Sequence, residues 1–238
     1  MMMQPINLLG ALRQMWWRGR IVNALFAMGL IAMTFFAPAW AADLPIRIVA
    51  FGDSLTAGYQ LAPEEAFPAQ LERALRARGH KVEIINAGVS GDTTAAGLAR
   101  FEWAVPDGAE AAIVELGAND ALRGLDPAAA RRNLQAIVTR LKAKGADVLL
   151  AGMTAPRNWG DAYVAAFDAI FPELAKKEGL LLYPFFLEGV ALQPTLNLAD
   201  GLHPNAHGVA EIVRNILPSV EQLIARVTAR RNGAPVRG

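Results

Sequence analysis

A chain of 238 residues, 53% hydrophobic and 19% charged, with net charge +1 and mean hydropathy +0.25, suits one α/β domain or two small ones. Its low charge and ordinary aromatic content exclude a disordered chain, and its apolar content can build a core without disulfide or metal staples. With no cysteine at all, there is no disulfide framework, cysteine nucleophile, iron–sulfur cluster, cysteine zinc site or lipid-anchoring cysteine.

The first 41 residues read as a targeting segment. Arg13, Arg18 and Arg20 precede an apolar run, Ile21–Phe36, interrupted by Asn23 and Thr34. Ala39-Trp40-Ala41 then offers a small-x-small cleavage site before Ala42. These are the three parts of a secretory signal. The alternative, an uncleaved anchor, needs about 20 apolar residues, more than this run supplies. No Arg-Arg pair precedes the run, which favours the general secretory route, and translation could begin at Met15. Cleavage after Ala41 predicts a periplasmic or secreted protein with no stable membrane anchor. It leaves a single domain over residues 42–238. Losing three arginines and no acid takes the net charge from +1 to −2, so nothing suggests nucleic acid as a partner.

Short apolar runs then alternate with helical patterns. Strands are expected at Ile46–Phe51, Val82–Asn86, Ala111–Leu116, Asp147–Gly152 and Leu180–Tyr183. Phe67, Leu71, Ala74, Leu75 and Arg78 follow helical spacing, with Gly79 at the C′ position. A helix is expected over Thr94–Trp103. The next is capped by Asp126, opened by Pro127 and ended by Gly145. Asp161–Glu178 is expected to be helical, kinked or split by Pro172. A last helix runs from Val209 to Val227 with a kink at Pro218, and the arginine-containing stretch Arg226–Gly238 is expected to be frayed and solvated. His80 is expected to be exposed, and His207 to lie in the first turn of the last helix. Five alternations with right-handed crossovers give a parallel sheet covered on both faces.

In such sheets, reactive groups gather beyond the carboxyl ends of the strands. Three polar, glycine-containing segments lie there: Phe51–Tyr59, Asn86–Thr94 and Glu115–Asp120. A fourth, Asp200–Pro204, precedes the last helix. Together they hold the parts of an acyl transfer. Ser54 is a hydroxyl that needs a base. His203 is the best-placed base, an imidazole with an ordinary pKa of about 6.5. Asp200, three residues earlier, can reach Nδ1 of His203 and fix its tautomer. The oxyanion donors would be the Ser54 and Gly91 amides and the Asn119 side chain. Singly, each residue reads equally as a cap or turn: Ser54 as a helix cap, Gly91 as a turn residue, Asn119-Asp120 as an Asx turn. Jointly, four loops in this order supply one reaction.

The blocks Gly-Asp-Ser-Leu (52–55), Gly91, Gly-x-Asn-Asp (117–120) and Asp-x-x-His (200–203) resemble those of the SGNH (GDSL-type) hydrolases. The wording of residues 90–100, 115–124 and 183–188 is similar to the bacterial periplasmic thioesterase I, lysophospholipase and arylesterase branch. The resemblance spans Ile48 to Leu217. It implies a flavodoxin-like three-layer α/β/α fold with a five-stranded parallel sheet, a serine acyl-enzyme, and neither cofactor nor metal. The implied substrates are small acyl esters or thioesters, lysophospholipids included. Residues 155–163 match a substrate loop in form, making Asn158 and Trp159 candidate substrate contacts beside a packing role for Trp159. Loops 153–163 and 185–198 would cradle the acyl chain. Ala118 stands where some relatives carry glycine. A carbohydrate O-acetyl esterase, or a non-catalytic lipid-binding envelope protein, is the alternative that these residues leave open. The absence of G-x-G-x-x-G after a strand and of Gly-Lys-Ser/Thr argues against nucleotide binding.

Overall fold

The computed structural model describes residues 44–233. The signal-segment reading and its cleavage site lie outside the described residues. Strands β1 (Ile46–Gly52), β2 (Val82–Gly88), β3 (Ala111–Glu115), β4 (Asp147–Ala151) and β5 (Leu181–Tyr183) form one sheet of order β2-β1-β3-β4-β5. Every pairing is parallel. β1 and β3 are almost wholly buried because helices cover both faces.

Among the described residues there are eight α-helices, in chain order α1 (Ser54–Ala57), α2 (Phe67–Ala77), α3 (Thr94–Ala104), α4 (Ala118–Leu122), α5 (Pro127–Ala143), α6 (Asp161–Asp168), α7 (Ile170–Glu178) and α8 (Ala206–Arg231). α2 packs on α8, while α3, α6 and α7 gather around α5. Right-handed crossovers put these two groups on opposite faces of the sheet. The result is the expected three-layer α/β/α arrangement. The strand order reverses beside β1, so the crevice of the fold opens at the carboxyl ends of β1 and β3.

The split in the Asp161–Glu178 segment has a local cause. A Pro172 ring in a continuous helix would press on the carbonyl of residue 168. The chain accordingly ends α6 at Asp168 and starts α7 at Ile170, where the missing Pro172 N–H falls in the first turn. Pro218 does not interrupt α8. Leu217, Val220, Leu223 and Ile224 are buried on either side of it, and that packing offsets the lost backbone bond.

Two expectations are corrected. The Arg226 stretch is not frayed over the described residues, since α8 continues to Arg231 with Val227 buried. Arg226 donates to the Gly179 carbonyl at 3.0 Å, Arg230 to the Glu110 carbonyl at 2.9 Å, and Arg231 Nε to Glu110 Oε1 at 2.7 Å. Carbonyls and a carboxylate at the amino-terminal edge of the sheet attract these cations, an interaction invisible in a run of arginines. His80 is half-buried against Glu221, with Nε2 at 3.3 Å from Oε1.

Arg231→Ala should therefore lower unfolding stability by roughly 1–2 kcal/mol, as expected for a partly shielded, bidentate charged pair. Urea denaturation measures this, and an unchanged midpoint would mean that the end of α8 is not anchored.

Candidate active site

The first site segment leaves β1 in a sharp turn. A Cβ at Gly52 would lie 2.5 Å from Glu115 Oε2, so only glycine fits. Asp53 caps α1, its Oδ1 accepting from the Leu55 N–H at 3.0 Å. Ser54 is thereby the first helical residue rather than the cap. The helix lasts one turn and closes on Gly58 at φ +82°.

The last segment is fixed just as locally. Asp200 Oδ1 accepts from the N–H groups of Leu202 at 2.9 Å and His203 at 3.0 Å. The Leu198 N–H bonds the His203 carbonyl at 2.8 Å. Asn205 caps α8 through the N–H groups of His207 and Gly208, and its Nδ2 donates to the Thr195 carbonyl at 3.0 Å. This turn holds the His203 Nδ1 2.7 Å from Asp200 Oδ2. The His203 Nε2 lies 2.9 Å from Ser54 Oγ, across 149 residues of sequence. A carboxylate only accepts, so Nδ1 carries the proton and Nε2 accepts from the serine hydroxyl. The Tyr59 ring, its centroid 4.4 Å from that of His203, packs against the imidazole.

The middle segments are tied down by buried polar contacts. Asp92 pairs with Arg100, whose Nη2 donates to the Gly52 carbonyl at 2.9 Å. Asp120 accepts from the Thr94 N–H at 2.8 Å and its hydroxyl at 2.6 Å, joining α4 to the start of α3. Gly91 takes φ +87°, a backbone open to glycine. Among the described residues, neither the Ser54 nor the Gly91 N–H has an intramolecular partner. Asn119 Nδ2 donates to Asp53 Oδ2 at 3.2 Å and retains a second N–H.

A cavity of about 280 Å³ opens from Ser54, Asn119 and His203, with mostly apolar walls that include Met153, Pro156, Phe185 and Leu187. Exposed Leu122 and Leu202 border it. Asn158 and Trp159 are not among its lining residues. The Trp159 ring instead lies over Gly124, where a Cβ would meet it at 2.7 Å, and its centroid is 6.0 Å from that of Tyr163. The first part of each expected acyl loop thus reaches the cavity, while the short 3₁₀ turn Arg157–Trp159 carries these two side chains elsewhere.

A family model described as the GDSL-like lipase/acylhydrolase family matches residues 50–211. The chain belongs to this family. Esterase TesA of Pseudomonas aeruginosa is 35% identical over 85% of this chain and 100% of its own length. Thioesterase 1/protease 1/lysophospholipase L1 of Escherichia coli K12 is 40% identical over 74% of this chain and 81% of its own. The solved structure of AlinE4, an SGNH-hydrolase family esterase, superposes with a TM-score of 0.64 at 52% identity, over 75% of this chain and 96% of that one. This GDSL-like hydrolase is accordingly an enzyme that cleaves ester bonds.

Sequence reasoning missed several residues around the site. Tyr59, Arg100, Arg123, Asp53 and Glu115 all touch it or its supports. One signal was available, namely Glu115 as the lone acid in the apolar run Ala111–Leu116.

The Asp200 carboxyl is held down at about 2, first by the His203 and Leu202 N–H groups and then by the imidazole. A lowered carboxyl pKa stabilises the fold above its unfolded value and loses that contribution as pH falls through about 2. Asp200→Asn should therefore melt below the wild-type protein at pH 7, with the gap closing as the solution is acidified. A gap independent of pH would contradict this.

Proposed function

We propose that this hydrolase cleaves acyl esters and thioesters through an acyl-enzyme on Ser54, with His203 as general base and Asp200 as its orienting carboxylate. The observation that carries the reading is the unbroken hydrogen-bond chain Ser54 Oγ–His203 Nε2, His203 Nδ1–Asp200 Oδ2, at 2.9 and 2.7 Å. Ser54 Oγ bonds the acyl carbon while its proton passes to Nε2. The negative charge moves to the former carbonyl oxygen, where the Ser54 and Gly91 N–H groups and the free Asn119 Nδ2–H receive it. Collapse expels the alcohol or thiol, which takes the proton from Nε2. Water then repeats the sequence, and the acid leaves as Ser54 regains its proton.

The apolar walls favour an acyl chain over the hydroxyls of an acetylated sugar, because a sugar would leave its polar groups without partners there. Lysophospholipids fit this substrate class, as do aryl esters and acyl thioesters. These are also the activities in the names of the relatives, arylesterase and thioesterase 1/protease 1/lysophospholipase L1. Residues 1–41 are proposed to direct export and to be removed. Amino-terminal sequencing of the protein recovered from a bacterial periplasm or culture medium should begin at Ala42, and an intact leader would refute this.

Ser54→Ala should reduce turnover of a p-nitrophenyl ester by at least about 10³-fold, and retention of most activity would discard the assignment. With the wild-type enzyme, kcat/KM should decline as the solution is acidified, because a protonated imidazole cannot accept the serine proton. A flat profile from about pH 5 to 8 would remove His203 from its role. Across a series of saturated acyl esters, kcat/KM should rise with chain length until the cavity is filled. A preference for acetyl groups on sugars would overturn the substrate reading.

A further inference from the structure

Beneath the nucleophile turn, two buried carboxyl groups lie side by side, and the mechanism above uses neither. Glu115 ends β3 in register with Gly52, the residue before Asp53. Its Oε2 accepts from the Thr56 hydroxyl at 2.7 Å and the Asp53 N–H at 3.3 Å. Its Oε1 is buried with no donor to accept from among the described residues. Glu115 thus touches the backbone of Asp53, whose own carboxyl is fully buried in the same turn. Two ionised carboxylates buried there would repel one another, and one proton on the pair removes the repulsion. Burial, with the Asp53 charge next, pushes Glu115 well above the ordinary carboxyl range, while burial brings Asp53 only to about 6. Near neutrality the proton therefore rests on Glu115, and Asp53 is ionised.

The charged groups around Asp53 agree with that division. His203 faces it from the loop before α8 and favours its ionised form when the imidazole is protonated. Arg100 of α3 reaches the neighbouring Gly52 carbonyl but is already paired with Asp92. The ionised Asp53 accepts from the Leu55 N–H through Oδ1 and from Asn119 Nδ2 through Oδ2. At the opposite end of the same amide, Asn119 Oδ1 accepts from Arg123 Nη2 at 3.3 Å, and that Nη2 also donates to the Gly91 carbonyl at 3.0 Å. A guanidinium only donates and a carboxylate only accepts. The Asn119 amide can consequently sit only one way round, with its NH₂ toward Asp53 and one N–H left over.

We propose that Asp53 and Glu115 are positioning residues: Glu115 holds the Asp53 turn through its contacts to the Asp53 N–H and the Thr56 hydroxyl, and Asp53 with Arg123 locks the Asn119 amide in the orientation that offers an N–H to the oxyanion. This rests on the reading of Asn119 as an oxyanion donor. The test is a double-mutant cycle on p-nitrophenyl ester hydrolysis with Asp53→Asn, Asn119→Ala and their combination. Asparagine caps helices as well as aspartate does, so Asp53→Asn should fold, and a melting curve checks this. Asn119→Ala should cost about 10²–10³ in kcat. Asp53→Asn should cost at least about tenfold in kcat, within that ceiling, with KM changed less than about twofold. In the Asn119→Ala background it should cost less than about threefold, because the amide it orients is gone. Glu115→Gln, which returns a donor toward Asp53, should recover most of the kcat lost in Glu115→Ala.

If Asn119→Ala is slow but Asp53→Asn slows it undiminished, or if Asp53→Asn acts only on KM, the positioning role is overturned while the oxyanion assignment stands. If Asn119→Ala leaves kcat unchanged, the oxyanion assignment itself falls and this proposal with it.

Discussion

The hydrogen bond between Ser54 Oγ and His203 Nε2 spans 2.9 Å of space and 149 residues of chain. Neither partner has any local reason to find the other. Ser54 is delivered by the first strand of the sheet, and His203 by the turn that opens the last helix. They meet because a parallel sheet sends all its strands out at one edge, and because α8 returns from the end of the chain to pack on the same layers. The site is thus a product of topology first and of side-chain chemistry second. The Asp200 turn then needs only to aim a ring that the fold has already brought near.

That edge is held by polar groups buried at notable cost. Asp53, Asp92, Arg100, Glu115 and Asp120 are each less than a tenth exposed. An apolar filling would stabilise the fold at least as well, since a buried ion pair such as Arg100–Asp92 can barely repay its own desolvation. What these groups supply is position. Arg100 ties the loop after β2 to the end of β1, and Asp120 ties the loop after β3 to the start of α3. Three loops that carry proposed donors are fixed to one another below the cavity, leaving its walls apolar. Preorganised donors of this kind stabilise developing charge without reorganising during the reaction.

Much of this was legible in the sequence. β1, β3 and β4 stand out because burial on both faces makes them nearly continuous apolar runs, as in residues 111–114. Helix limits were marked by Asp126, Pro127 and Gly145, whose backbone preferences act locally. The four site blocks were legible as a set, since each follows a strand or precedes the last helix. What could not be read is pairing at a distance. Nothing near Arg123 says that it will span Gly91 and Asn119, and nothing near Arg231 says that Glu110 awaits it. Trp159 illustrates the same limit. Its loop was identifiable, but whether the indole faces the cavity or Gly124 depends on a 3₁₀ turn that carries no strong signal.

The central claim is most directly tested by the crystal structure of the enzyme after stoichiometric reaction with an alkyl phosphonate ester. The account predicts phosphorus bonded to Ser54 Oγ, and one phosphoryl oxygen within hydrogen-bonding distance of the Ser54 N–H, the Gly91 N–H and Asn119 Nδ2. His203 Nε2 should remain beside the adduct, and the alkyl group should enter the cavity between Met153 and Phe185. An adduct on another residue, or a phosphoryl oxygen turned away from all three donors, would contradict it.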